Sequence, residues 1–207
     1  MINDKFKFIY TKISKTGSTS VENTLEKLSG RKYNTGHYHI LDDINENTQK
    51  YFKFTFFRNP WDRCVSRFHY TRTKYNVNDG LNREMYKAKS FSDFIRSESQ
   101  FSLSTKWCRH SPNLQKIMQY LDPFENQIDW ISNEDGHVLT DFIGRVETMQ
   151  NDFNTICDKI GIPRQELPHK NKSKHKHYTE YYDNETRKIV AEKYAKDIEY
   201  FGYKFGE

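Results

Sequence analysis

The segment Phe6–Leu28 constrains this chain more than any other. Phe6, Phe8, Ile9, Tyr10 and Ile13 make an apolar run that predicts a buried strand. The chain then turns through Ser14-Lys15-Thr16-Gly17-Ser18-Thr19-Ser20. Val21, Thr24, Leu25 and Leu28 follow at helical spacing, with Gly30 placed to end that helix. A strand, a short hydroxyl-rich loop with a lysine, and a helix together make the layout of a phosphate cradle. The loop N–H groups and the helix N-terminus converge on one spot, and the helix dipole favours an anion there. Lys15 adds a mobile positive charge and the hydroxyls add donors. The loop departs from the nucleoside-triphosphatase pattern, in which the lysine follows a second glycine next to Ser or Thr. Here the lysine comes first and there is one glycine, so this segment alone still admits an ordinary polar strand-to-helix turn.

Tyr51–Tyr70 repeats the arrangement. Phe52, Phe54, Phe56 and Phe57 predict a second strand, and Arg58 stands at its C-terminal tip. Asn59 suits a helix N-cap, Pro60 the first helical position and Asp62 the first turn, with Ser66 two turns along. In an open α/β sheet, ligands bind beyond the carboxyl ends of the strands, so Lys15 and Arg58 are expected to face one crevice. On the same helix, Arg63 reads as a structural partner for a carboxylate, and Arg67 and Arg72 as a solvated basic face.

The motifs KTGSTS (Lys15–Ser20) and FFRNPWDRCVSRF (Phe56–Phe68), in this order, resemble the two cofactor motifs of the sulfotransferase family 2 group, which includes carbohydrate sulfotransferases. The resemblance implies an α/β fold, a three-layer parallel sheet flanked by helices and related to P-loop nucleoside triphosphate hydrolases. It implies transfer of a sulfuryl group from 3′-phosphoadenosine 5′-phosphosulfate (PAPS) to an acceptor hydroxyl, by default that of a saccharide, with 3′,5′-adenosine diphosphate as product and no metal. Lys15, Thr16, Gly17, Ser18, Thr19 and Ser20 would hold the 5′-phosphosulfate, with Lys15 also catalytic; Arg58 and Ser66 would hold the 3′-phosphate. Family members also carry a P-H-x-N-x-S loop that closes over the nucleotide. Pro168, His169, Asn171 and Ser173 match it, which makes Asn171 and Ser173 further cofactor-binding candidates. Read without the resemblance, the Lys- and His-rich stretch 168–177 is a solvated basic loop or a nonspecific nucleic-acid contact.

Sulfuryl transfer to a hydroxyl needs a proton acceptor, and histidine titrates in a suitable range. His37 and His39 lie between the two motifs. His39 is the stronger candidate, because related enzymes place a catalytic histidine just before a short helix and Leu41-Asp42-Asp43-Ile44 follows at once. His37, Asp42 and Asp43 stay open as alternatives. Asp141–Glu147 resembles a family strand with an R-x-E pattern, giving Arg145 and Glu147 a structural role by ion pairing. The polar stretch from Thr71 to Lys89 is a candidate acceptor lid or a plain surface loop.

With 207 residues, the chain fits one domain, 1–207, with a substantial core. Apolar residues make up only 35%, but aromatics reach 15%, so Phe and Tyr are expected to carry that core. A formal charge of +5 suits an anionic ligand and is too mild to imply nucleic-acid binding. Cys64, Cys108 and Cys157 are widely spaced and odd in number, which argues for buried thiols over a disulfide or metal set. No apolar run is long enough to span a bilayer and no signal-peptide core appears, so a soluble, cytoplasmic protein is expected. Two other classes compete: an Mg-ATP-dependent P-loop phosphotransferase, which would want a carboxylate where Arg58 stands, and a nonenzymatic nucleic-acid-binding protein.

Overall fold

The computed structural model describes residues 1–33, 39–74, 88–99, 126–168 and 176–207. The chain divides into two compact units, Met1–Arg58 with Gln127–Lys172, and Asn59–Asn126 with Ser173–Glu207.

The first unit is built on a sheet of strands β1 (Ile2–Asn3), β2 (Phe8–Tyr10), β3 (Phe52–Phe57) and β4 (Phe142–Arg145), in that spatial order. β1 runs antiparallel to β2, while β2, β3 and β4 run parallel. The central strand β3 reads Phe-Lys-Phe-Thr-Phe-Phe, and both of its faces are buried, as expected inside a parallel sheet. Phe54 and Phe56 share one core with Phe8 and Tyr10 of β2. On that core lie α1 (Ser18–Ser29), through Val21 and Leu25, and α5 (Met149–Ile160), through Phe153, Ile156 and Cys157. Each such fully buried side chain contributes about 1.5–3 kcal/mol relative to exposure. The opposite face of β3 carries polar groups with internal partners. Thr55 donates its hydroxyl to the Thr11 carbonyl at 2.7 Å, and Lys53 Nζ donates to the Gln49 and Tyr51 carbonyls. Gly144 in β4 is required by packing, since a Cβ there would stand 2.5 Å from the Phe56 ring.

In the second unit, α3 (Pro60–Lys74), α4 (Phe91–Ser99), α6 (Asn184–Lys193) and α7 (Ala195–Phe201) enclose an aromatic core. Trp61, Phe68, Phe91, Phe94, Tyr178 and Tyr194 are its main members. Several rings meet edge-on, such as Phe68 on Phe91 at 5.5 Å, the arrangement that ring quadrupoles favour.

The stretch from Gln127 to Ile143 reads as a hairpin or a turn feeding a strand: after the tight 3-10 turn Gln127–Trp130, a turn closed by Asn133 N on the His137 carbonyl and by the Ser132–Val138 bridge leads on to β4. The sequence placed two features differently. One helix reads from Asp183 through Ala195, whereas the chain turns at buried Tyr194 and starts α7 there. Arg67 was assigned to a solvated face, but Arg63 and Arg67 are both buried, and only Arg72 is exposed, stacked over Phe68. The interior of the same unit holds buried Asp197, and buried charge of one sign calls for the other.

Candidate functional site

The loop from β2 to α1 owes its shape to two left-handed residues. Lys15 has φ of 66° and Gly17 φ of 73°. For lysine this conformation costs about 1–2 kcal/mol, so neighbouring contacts must hold it. Thr16 sits between them fully buried, its hydroxyl donating to the Ile13 carbonyl at 2.9 Å. Gly17 cannot be replaced without movement: besides its φ, a Cβ would lie 2.6 Å from the Met149 methyl at the start of α5. Lys12 Nζ and Glu22 Oε2 pair at 2.7 Å, both buried, tying the strand end to the body of α1 across the loop. Removing one partner of such a pair costs about 3–5 kcal/mol, because it leaves the other charge buried and uncompensated. Burial, reinforced by the charge of Glu22, pushes the Tyr10 phenol well above its ordinary range, so it stays neutral.

Gly17 is the N-cap of α1 and has no side chain with which to cap it, and no acid stands in the first turn. Its first-turn N–H groups and dipole therefore suit an external anion. Arg58, the residue after β3, directs Nη1 to the Lys15 carbonyl at 3.3 Å. Lys15 and Arg58 thus follow adjoining strands, and the Arg58 guanidinium reaches the Lys15 backbone. Arg145, the last residue of β4, stands in register with Phe57, so a third basic residue ends the neighbouring strand. Its N–H donates to Asp152 Oδ2 at 2.7 Å; Glu147 is exposed.

Ser20 donates its hydroxyl to the Pro168 carbonyl at 2.8 Å, which ties the cradle to the first residue of the P-H-x-N-x-S stretch. The hydroxyl hydrogens of Thr16 and Ser20 are therefore spent on bracing the loop, and the Ser20 N–H also turns inward, donating to the Gly17 carbonyl at 3.0 Å. Ser18 is buried and Thr19 exposed. Ser66 is buried on α3 in the second unit. His37, Asn171 and Ser173 lie outside the described residues.

His39 is buried and caps α2 (Ile40–Asp43). Its Nδ1 accepts the Leu41 N–H at 3.1 Å, and Asp42 Oδ2 accepts the His39 N–H at 3.1 Å, a reciprocal capping box. Its Nε2 lies 2.8 Å from the Asp129 carbonyl. A carbonyl only accepts and a backbone N–H only donates, so the partners require the neutral ring protonated at Nε2 with its lone pair on Nδ1.

Two contributors carried no sequence signal. Gln127 is completely buried; its Oε1 accepts the Arg58 N–H at 3.0 Å and its Nε2 donates to the Arg58 carbonyl at 2.9 Å. Met149 packs on Gly17. Both act through tertiary contact alone. Among the described residues, no group of three or more His, Cys, Asp or Glu side chains could hold a metal ion, and no helix is long and apolar enough to cross a membrane.

Carbohydrate sulfotransferase 14 of Danio rerio is 24% identical over 186 residues, covering 79% of this chain and 48% of that protein. This chain thus spans about half the length of that relative. An uncharacterized protein of Archaeoglobus fulgidus is 30% identical over 115 residues, 56% of this chain and 72% of that one. No solved structure gives a significant match. The sulfotransferase family model matches residues 1–204, and the chain belongs to that family.

Proposed function

We propose that this chain moves a sulfuryl group from PAPS to a hydroxyl of a saccharide, through one P-loop-like sulfotransferase domain formed by 1–207 and working in the cytoplasm. The observation that carries the reading is the contact of Arg58 Nη1 with the Lys15 carbonyl beside Gly17, the N-cap of α1. The donor set there is an ammonium, a guanidinium and backbone N–H groups with no first-turn acid, and it fits a polyanionic sulfonated nucleotide. The saccharide acceptor is supported by the name of the Danio rerio relative.

The donor supplies the sulfuryl group. Lys15 and the loop between Thr16 and Ser20 hold the 5′ end, chiefly through the N–H groups ahead of Ser20, whose own N–H is bonded to the Gly17 carbonyl; there the ammonium offsets charge growing on the leaving phosphate. Such preorganised electrostatics is usually the largest catalytic contribution. Arg58 and Ser66, with Asn171 and Ser173, bind the 3′-phosphate. His39 takes the acceptor's proton at Nδ1, the nitrogen that carries the lone pair, and releases the Leu41 N–H as it does so.

The test is thermal stabilisation of the purified chain, with a chelator present in the 3′,5′-adenosine diphosphate arm and magnesium in the ATP arm. A rise in Tm with 3′,5′-adenosine diphosphate supports the reading. Stabilisation only by Mg-ATP would replace it with phosphoryl transfer, and stabilisation only by an oligonucleotide with nucleic-acid binding. Labelled PAPS offered to a panel of saccharides then identifies the acceptor.

A further inference from the structure

Gln127 and Asp129 have no role in the reading above, yet each is bonded to one of its two ends. Gln127 grips the backbone of Arg58 from both sides, with Oε1 on the N–H at 3.0 Å and Nε2 on the carbonyl at 2.9 Å. This is the pattern a neighbouring strand would supply, provided instead by one side-chain amide 69 residues away in sequence. Arg58 follows the last residue of β3, so this amide continues the hydrogen bonding where that strand ends. Two positions on, the Asp129 carbonyl receives Nε2 of His39 at 2.8 Å.

Between them runs the tight turn Gln127–Trp130. It is held from inside: Ile131 N donates to the Ile128 carbonyl at 3.2 Å, and the Ser132 hydroxyl to the same carbonyl at 2.8 Å. Gln127, Ile128, Trp130 and Ile131 are all buried. A buried turn closed by its own hydrogen bonds cannot easily shift at one end while the other stays fixed.

We propose that Gln127 is a positioning residue: through this turn it sets both the guanidinium that grips the donor nucleotide and the tautomer of the histidine that takes the acceptor's proton. The donor and acceptor halves of the site are thereby held in one register. The proposal rests on the sulfotransferase reading for its donor half. Its histidine half depends only on the geometry of the turn. Gln127 is suited to the task because an amide offers a donor and an acceptor on one planar group, which matches a backbone N–H and carbonyl in succession. Glutamate has the same shape and only accepts; methionine has similar length and does neither.

The experiment uses the full chain and its Gln127→Met and Gln127→Glu variants, with folding checked by circular dichroism. Titration calorimetry with 3′,5′-adenosine diphosphate reads the donor half. The ring nitrogens of 15N-labelled histidine read the other half by NMR, the His39 signals being those missing from a His39→Asn variant. The wild-type chain is expected to show His39 protonated at Nε2. In Gln127→Met, nucleotide affinity is expected to fall about tenfold, the loss of a hydrogen-bond pair, and His39 to show a mixture of tautomers. Gln127→Glu keeps one of the two bonds and is expected to lie between; it carries the test if the methionine variant does not fold. A folded variant in which either readout matches the wild type overturns the proposal. A wild-type chain that fails to bind the nucleotide removes the functional reading, and the histidine measurement alone then decides the role of Gln127. A wild-type chain that binds it, with a Gln127→Met chain that binds it equally well, removes the proposal and leaves the reading standing.

Discussion

Helix α6 begins on Asp183, whose Oδ1 accepts the Thr186 N–H at 2.7 Å while the Thr186 hydroxyl accepts the Asp183 N–H at 3.1 Å. Glu185 adds a negative charge in its first turn. Helix α1 begins on Gly17, which has no side chain to cap it, and has no acid in its first turn. Both helices have first-turn N–H groups that need an acceptor. α6 finds that acceptor in its own N-cap side chain, whereas the N-cap of α1 offers none, and just before it the Arg58 guanidinium reaches the Lys15 carbonyl. The left-handed Lys15 makes the same point, since a start tuned for stability alone would put glycine there. On the proposed reading the start of α1 is kept for a ligand, whereas that of α6 serves the fold.

The comparison can be broken most directly at Lys15. Lys15→Ala is expected to lower the transfer rate about 100- to 1000-fold, the scale of losing one charge-stabilising donor, as read from kcat with PAPS. Lys15→Gly should be equally inactive yet more stable than Lys15→Ala by about 1 kcal/mol, because it relieves the left-handed backbone. Calorimetric melting of the two variants checks this, and equal stability would mean that the strain at Lys15 is not stored. Next comes Arg58→Lys. It keeps the charge and loses the planar fork, and the affinity for 3′,5′-adenosine diphosphate should fall about 10- to 100-fold, the range for one charged hydrogen-bonded contact. An unchanged dissociation constant by calorimetry would remove Arg58 from the grip. Gly17→Ala attacks the open helix start itself. Its φ of 73° disfavours alanine by about 1–2 kcal/mol, and the Cβ collides with Met149. Adding Met149→Ala should restore only part of the lost Tm, because the collision goes and the backbone cost stays.

How much of this could be read beforehand depends on the range of the interaction. The strand–loop–helix units are local, and the helix end at Gly30 agrees with the sequence because a cap is written within a few residues. That Lys15 and Arg58 meet was inferable, since parallel strand ends in one sheet gather at one edge. The candidate base was legible as a histidine before a short helix. Its tautomer was not, because that depends on a carbonyl 90 residues away. Gln127 was invisible for the same reason: nothing in a glutamine's neighbours says that its amide completes the end of another strand. Arg67 was misplaced because i, i+4 spacing shows that two arginines share a face and says nothing about whether that face looks inward.

The smallest effect tests the other member of the pair. Asp183→Ala should cost about 1 kcal/mol at neutral pH, the usual value of an N-cap, and lower Tm by about 2–4 °C for a chain of this size, with the transfer rate unchanged. The Thr186 N–H is the main reason that the Asp183 carboxyl is held below the ordinary aspartate range, and the Thr186 hydroxyl adds to it. A carboxylate with a depressed folded-state pKa stabilises fully above its unfolded value of about 3.9 and loses that contribution as pH falls through the folded value. The Tm difference between wild type and Asp183→Ala should therefore be constant from neutral pH to about 5 and shrink below about 4. The start of α1 has no carboxylate to lose, so a parallel series on Gly17→Ala should show no such convergence in acid. If the two series instead fall together, acid is acting on the fold as a whole, and the contrast between a self-capped helix and an open one carries no energetic weight.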